Sequence, residues 1–456
     1  MEKLMQFVWA HRLWDTSPMV TADGRRVRII NPGVLNENAG PDFFNASIQI
    51  GDQRWYGNIE IHVRASDWYR HGHQNDHAYD SVILHVVQVA DVEVRRPDGS
   101  VIPQITVKCT PEAAARCNTL MLSSQGSLPC YDTIRSIPSI YHTEWLTALA
   151  FERLYNKSQR IIDLLKITDG DWEAAAYITL ARALGFGLNA EPFETLAKNL
   201  PLKFLNRHRD SLIITEALIF GQAGMIPEPT EGEDTYITEI RREYEFMARK
   251  FTLHRPPIVW KLSRTRPQNF PHRRLALLAM KIHTGFAIIA RLDDLTTALQ
   301  IRREQSFHDT RIYYPHIAGP ETSETPSIEE IRREFDIHLQ GYWATHYTFS
   351  GTSANSPRAL SRSSLDRLLI NVAIPLMMAR ATVRGDVALI NAIPETLRQF
   401  AAEDNRDVRL FTQAGIACRD AFDSQALIEL RREYCEKHKC LFCRFGHRML
   451  SREIVR

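Results

Sequence analysis

The residues best suited to chemistry are concentrated between Asn36 and Val87. Gly40-Pro41-Asp42-Phe43 comes first, then Gly57-Asn58-Ile59-Glu60-Ile61-His62-Val63-Arg64, then Ser66-Asp67-Trp68-Tyr69-Arg70-His71-Gly72-His73. Residues two apart on a strand share a face, so Asn58, Glu60, His62 and Arg64 line one side and Ile59, Ile61 and Val63 the other. A carboxylate beside a cationic or metal-competent side chain can hold a hard divalent cation while its neighbour positions or activates water. Asp42 supplies a second carboxylate beside Glu60 if 46–50 and 57–64 pair as a hairpin.

The histidines that follow offer a rival chemistry. His71-Gly72-His73-Gln74-Asn75-Asp76-His77 is one residue longer than the H-x-H-x-D-H run of metallo-β-lactamase-like hydrolases, and the extra residue misdirects the Asp-His pair. A zinc hydrolase built on His71, His73 and Asp76 therefore ranks third, although one or two of these histidines can help a metal held by Asp42 and Glu60. The bland alternative is a polar, capped surface loop. His85, inside the apolar run Val82–Val87, reads as a hydrogen-bonded core residue, and Trp55 and Trp68 read as packing on the sheet.

Near the C-terminus, Cys435-x4-Cys440-x2-Cys443 is followed by His447. Thiolates at this spacing can grip one tetrahedral ion from a tight turn, and a nearby imidazole can complete the set, so Zn²⁺ as Cys3His is the first expectation. An iron–sulfur cluster needs a fourth cysteine, either Cys418 or a distant one such as Cys130. Basic residues Lys261, Arg264, Arg266, Arg273 and Arg274 gather around Asn269-Phe270-Pro271, just before an apolar helix. Arginine forks and helix N-termini both bind phosphate, so this stretch is the candidate nucleic-acid surface, with Trp260 or Phe270 available for stacking. The competing reading is an Arg-rich loop engaged in internal ion pairs.

These residues need elements to hold them. Period-two alternation marks strands at 25–30, 46–50, 58–64, 82–87, 91–96 and 104–108, with a short helix at Ser66–His71. From about Ile137 the period becomes helical, with helices expected at 171–185, 190–199, 209–223, 235–251, 271–292, 327–340, 364–381, 394–402 and 424–434. The division is an α/β domain at 1–110, a linker at 111–136 and a helical domain with a Cys-rich metal knuckle at 137–456. With 56 Lys plus Arg against 54 Asp plus Glu, the formal charge of +2 excludes a histone-like coat without excluding a local basic groove. Apolar runs are short and broken by charges, so no membrane span is expected. The N-terminus lacks a signal-peptide pattern, and seven cysteines do not form a secreted disulfide framework, so the expected compartment is the cytoplasm.

Two resemblances follow from these motifs. Pro41-Asp42 and Glu60-Ile61-His62, with the order helix, strand, Asp-bearing strand, E-x-K strand, helix, strand, resemble the PD-(D/E)xK restriction-endonuclease-like superfamily over residues 2–108. His62 stands where that motif has Lys, which leaves the cationic role to His62 or Arg64. The segments NENAGPDFFNA, GNIEIHVRASDWYRHGH, RPQNFPHRRLALLA and YCEKHKCLFC resemble an uncharacterised bacterial family, DUF2851, over nearly the full chain. The fold expectation is α+β: a mixed α/β restriction-endonuclease-like core followed by a large all-helical domain. The functional expectation is a nuclease or other nucleic-acid-processing phosphodiesterase using Mg²⁺ or Mn²⁺ on Asp42 and Glu60, with His62 or Arg64 supporting water or the developing phosphorane charge. The alternative is a non-catalytic nucleic-acid-binding or scaffold protein that keeps the fold.

Overall fold

The computed structural model describes residues 2–10, 12, 14, 18–36, 39–96, 98–108, 115, 128, 130–263, 265–294, 328–352 and 357–451. Most of the expected 111–136 linker lies outside them. The chain forms two compact units. One comprises Met1–Trp145, Arg406–Ile416 and Leu430–Arg456, and the other Leu146–Asn405 and Ala417–Glu429. The Cys-bearing C-terminal segment thus belongs to the same unit as the strands.

A six-stranded mixed sheet organises the first unit: β1 (Val27–Asn31), β2 (Val34–Leu35), β3 (Phe43–Ile50), β4 (Gln53–Arg64), β5 (Val82–Val89) and β6 (Gln104–Thr106). Strands run in the order β1-β3-β4-β5-β6, with β2 also on β3. β1, β2 and β4 are antiparallel to β3, whereas β4, β5 and β6 are mutually parallel neighbours. The hairpin anticipated between 46–50 and 57–64 is β3–β4, longer at both ends than the alternation alone indicated. β2 is too short to show a period. The 91–96 alternation does not join the sheet and makes only an isolated bridge between Arg95 and Val101.

One irregularity sets the register of the site. Ala46, Ser47 and Ile48 pair with Gly57, Tyr56 and Trp55, but Phe43 pairs with Ile59, so one extra residue on β3 is left unmatched. Asn45 makes this bulge in a left-handed conformation (φ 57°), which Asn tolerates better than most residues, and its N–H donates to Asn58 Oδ1 at 3.2 Å. A one-residue slip exchanges the faces of a strand, so the bulge puts Asp42 across from Glu60 rather than Ile61. The β4–β5 pairing is equally tight. A Cβ on Gly57 meets Ile83 Cγ2 at 2.5 Å and the Ser81 carbonyl at 2.6 Å, so only glycine lets the two backbones approach there.

A parallel pair requires a crossover. Here it spans 65–81 and contains the short helix α2 (Asp67–Arg70) and two 3₁₀ turns, His73–Asn75 and His77–Tyr79. Trp68, Tyr79, Val82 and Val87 anchor it in a buried cluster with Ala65, Val94 and Ile102. β4 lies between two strands and packs against both α2 and the N-terminal helix α1 (Glu2–Ala10), so Glu60 and His62 are almost fully enclosed.

The second unit is helical. Expected helices appear at Trp172–Leu184, Ala190–Asn199, Leu212–Gln222 and Thr235–Phe251. The span expected at 271–292 is broken after Thr284 by Gly285 (φ 116°), and resumes as Ile288–Asp294. No single described helix is long and apolar enough to cross a membrane.

Candidate metal and acid–base site

Asp42 and Glu60 grip each other through the backbone. The Asp42 N–H donates to Glu60 Oε2 at 3.0 Å, and the Ile61 N–H donates to Asp42 Oδ2 at 3.0 Å. Gln6 Nε2, from α1, donates to Asp42 Oδ1 at 2.8 Å. Both Asp42 oxygens and one Glu60 oxygen therefore already accept hydrogen bonds, and Glu60 Oε1 is the oxygen turned toward the histidines. Burial raises both carboxyl pKa values well above the usual range, and the Glu60 charge raises Asp42 further.

The crossover returns His71 and His73 to the polar side of β4. His73 Nε2 lies 3.4 Å and His62 Nε2 3.5 Å from Glu60 Oε1, and His62 Nε2 lies 3.2 Å from His71 Nδ1. One ring nitrogen from each of His62, His71 and His73 falls within 4.8 Å of the other two. His73 stacks on Tyr79 at 3.9 Å and meets Trp68 edge-on at 5.4 Å. Its Nε2 is buried and, apart from the 3.4 Å approach of Glu60 Oε1, makes no hydrogen bond.

A buried relay orients His62. Its Nδ1 lies 2.8 Å from His85 Nε2, and His85 Nδ1 lies 3.3 Å from Gln104 Nε2. His85 thus has the hydrogen-bonded core position its apolar surroundings suggested, but it also fixes the imidazole beside Glu60. Burial and the neighbouring imidazoles push the His62 pKa down to about 2, burial and His73 push His85 down to about 3, and His73 is lowered by burial. Burial thus favours the neutral imidazole at His62 over the cationic part expected of it in place of Lys.

The other anticipated residues are dispersed. Arg64 turns outward, its Nε 3.0 Å from Asp91 Oδ2. Asp76 caps the second 3₁₀ turn by accepting from the Ala78 N–H, and His77 is exposed and paired with Asp80. An exposed cation stands beside the group: Arg70 Nη2 lies 3.4 Å from the exposed His71 and pairs with Asp67 Oδ1 at 3.0 Å. Sequence reasoning treated Arg70 only as part of the motif. Its signal was its place on the last turn of α2, immediately before the histidine run.

The proposed nucleic-acid stretch is built differently from expectation. Arg273 and Arg274 are each 3% exposed. Arg273 donates to the carbonyls of Trp343, His346 and Pro357, while Arg274 donates to Asn269 Oδ1 and lies over the Phe186 ring. Their guanidiniums hold the helix Pro271–Thr284 in place and do not face solvent. Lys261 and Arg266 are exposed, Lys261 being tied by its backbone to Asn189, and Arg264 lies outside the described residues.

Of the C-terminal set, Cys443 and Cys130 are buried and Cys435 and Cys440 half-buried, while His447 packs edge-on against Phe7 at 5.5 Å. Cys418 lies in the other unit.

No curated protein and no solved structure matches the chain. A family described as "Protein of unknown function (DUF2851)" matches residues 2–406, nearly nine-tenths of the sequence, and the chain belongs to that family.

Proposed function

We propose that this protein is a metal-dependent phosphodiesterase acting on nucleic acid, with His62, His71 and His73 as the metal-holding set and Glu60 beside them as general base. The observation that carries the reading is the convergence of three imidazoles from two chain segments, two of them within 3.5 Å of Glu60 Oε1, with a buried nitrogen on His73 that makes no hydrogen bond. Three imidazoles with a carboxylate suit Zn²⁺ or Mn²⁺. Mg²⁺, which prefers oxygen ligands and keeps its waters, suits this set poorly. A divalent ion bound there supplies an acidified water and polarises a phosphoryl oxygen.

The chain's own residues supply the rest. Asp42 pins Glu60 by its backbone N–H, leaving Oε1 to accept a proton. Arg70, at the open edge beside His71, is placed to hold an anionic substrate. His62 can coordinate through Nε2 only when Nδ1 carries the proton and donates to His85. His85 Nε2 must then accept, so the one proton of that ring sits on Nδ1 and needs the carbonyl oxygen of Gln104 as its acceptor. In the present arrangement Gln104 Nε2 donates to the Val92 carbonyl and faces His85, favouring the opposite tautomer. Ion binding and a turn of the Gln104 amide are therefore coupled.

The choice of a phosphodiester is supported by the order of elements. A helix, antiparallel strands bearing Asp42 and Glu60, a crossover with a helix, and a parallel strand follow the order of the PD-(D/E)xK core. The four-residue α2 and the histidine set depart from that pattern. The test is cleavage of labelled DNA and RNA with Mn²⁺ or Zn²⁺ by wild type and Glu60→Gln. Activity in the first and its loss in the second, with an unchanged circular dichroism spectrum, supports the reading. No metal-stimulated cleavage of either polymer by wild type refutes it.

A further inference from the structure

The C-terminal cysteines do not meet the requirement expected of a single zinc. His447, the anticipated fourth ligand, packs its ring against Phe7, and its backbone N–H donates to the Cys443 carbonyl at 2.8 Å. The fourth thiol comes from the other end of the sequence. Cys130 sits immediately before the helix Tyr131–Ser136, which packs against the helix Arg444–Ser451 that Cys443 precedes. Cys440-Leu441-Phe442-Cys443 forms a 3₁₀ turn closed by the Cys443 N–H on the Cys440 carbonyl at 3.3 Å. Gly446 makes that closeness possible, since a Cβ there stands 2.1 Å from the Cys440 carbonyl oxygen. Cys435 ends a wide helical turn, Leu430–Cys435, that packs on the same 3₁₀ turn.

We propose that Cys130, Cys435, Cys440 and Cys443 ligate one iron–sulfur cluster, which ties the C-terminal segment to the unit that carries the sheet. The spacing of the sulfurs favours a cluster over one ion. Tetrahedral zinc with Zn–S bonds of about 2.3 Å holds its sulfurs about 3.8 Å apart, yet no three of these sulfurs lie within 4.8 Å of one another among the described residues. A cluster presents its iron atoms over a wider body and takes four thiolates, the number found here. The four sulfurs are nonetheless near enough to interact electrostatically, Cys130 with Cys440 and Cys443 and Cys435 with all three others, so one shared centre can reach them. The backbone N–H groups of Phe445 and Gly446 face the Cys443 sulfur and would donate to it as a ligand.

The full-length protein, purified without oxygen, should be brown, lose colour with dithionite, and contain iron and acid-labile sulfide in equal amounts, about four of each per chain. Cys130→Ser and Cys440→Ser should each abolish sulfide and colour, whereas His447→Ala and Cys418→Ser should keep both. Circular dichroism identifies any variant that fails to fold, and for that position Cys→Asp replaces Cys→Ser. One zinc and no sulfide per chain overturns the proposal, as does a metal-free protein or full iron retention by Cys130→Ser. These readouts do not involve cleavage, so they stand or fall apart from the phosphodiesterase reading.

Discussion

His85→Leu isolates the contribution of the buried relay, because His85 touches no group proposed to hold metal except through His62. Leucine fills most of the volume but removes the partner of His62 Nδ1 at 2.8 Å, while Gln104 keeps its bond to the Val92 carbonyl. One buried nitrogen is left unsatisfied, a cost of about 1–3 kcal/mol of stability, partly offset by leucine's easier burial. The larger effect is on His62. Without His85 the ring loses its fixed orientation and the acceptor for the Nδ1 proton of its metal-binding tautomer, and partners of this type contribute about 10–100-fold in metal affinity, or about 1.4–2.7 kcal/mol. Gln104→Glu should act in the opposite direction. A carboxylate can only accept, so it enforces the Nδ1–H tautomers of His85 and His62 and frees His62 Nε2 for the ion. Calorimetric titration of Zn²⁺ or Mn²⁺ into wild type and both variants, paired with urea melts, separates the two effects. His85→Leu binding metal as tightly as wild type, despite a clear loss of stability, refutes the relay.

Three further outcomes follow from other parts of the chain. Glu216, 4% exposed and accepting from the Tyr236 hydroxyl at 2.9 Å, has its pKa raised by burial to about 7. Between the unfolded value near 4.5 and about 7 the folded chain binds the extra proton, so its contribution is full below that window and is lost as pH rises through 7. The loss is of order 3 kcal/mol, and Glu216→Gln should remove it, as urea midpoints at pH 5 and pH 8 will show. Arg273→Met strips donors from three carbonyls and should cost about 3 kcal/mol in thermal unfolding, while leaving nucleic-acid affinity unchanged in a filter-binding assay. Asn45→Val places a branched side chain at a left-handed position, a strain of about 1–2 kcal/mol, and should weaken metal binding by shifting Asp42 from Glu60; Asn45→Gly should be tolerated.

The Asp42–Glu60 pairing was legible in the sequence because a hairpin needs only local pairing, and both flanking strands alternate clearly. The reason it works was less visible: a bulge at Asn45 changes the register by one, and a single Asn does not announce a bulge. His71 and His73 stood out by spacing, either in a rival zinc scheme or as helpers of a metal on Asp42 and Glu60, and the sequence does not reveal that 65–81 crosses over to make β5 parallel to β4. The structure joins parts of both schemes on one carboxylate. Arg273 and Arg274 looked like surface charge, yet the helix they open continues Leu275-Ala276-Leu277-Leu278-Ala279 without a polar face, a sign that it is enclosed on all sides. Cys130 lies some three hundred residues before Cys435, too far for any spacing rule to connect them.

The most direct measurement is metal binding by wild type, His71→Ala, His73→Ala and the double variant, followed by Mn²⁺ electron paramagnetic resonance for directly bound nitrogen. The account predicts one tight site in wild type with imidazole nitrogen coupling, weakened in each single variant and lost in the double, with the helical signal intact throughout. Equal binding by all four proteins, or a bound Mn²⁺ without nitrogen ligands, contradicts it.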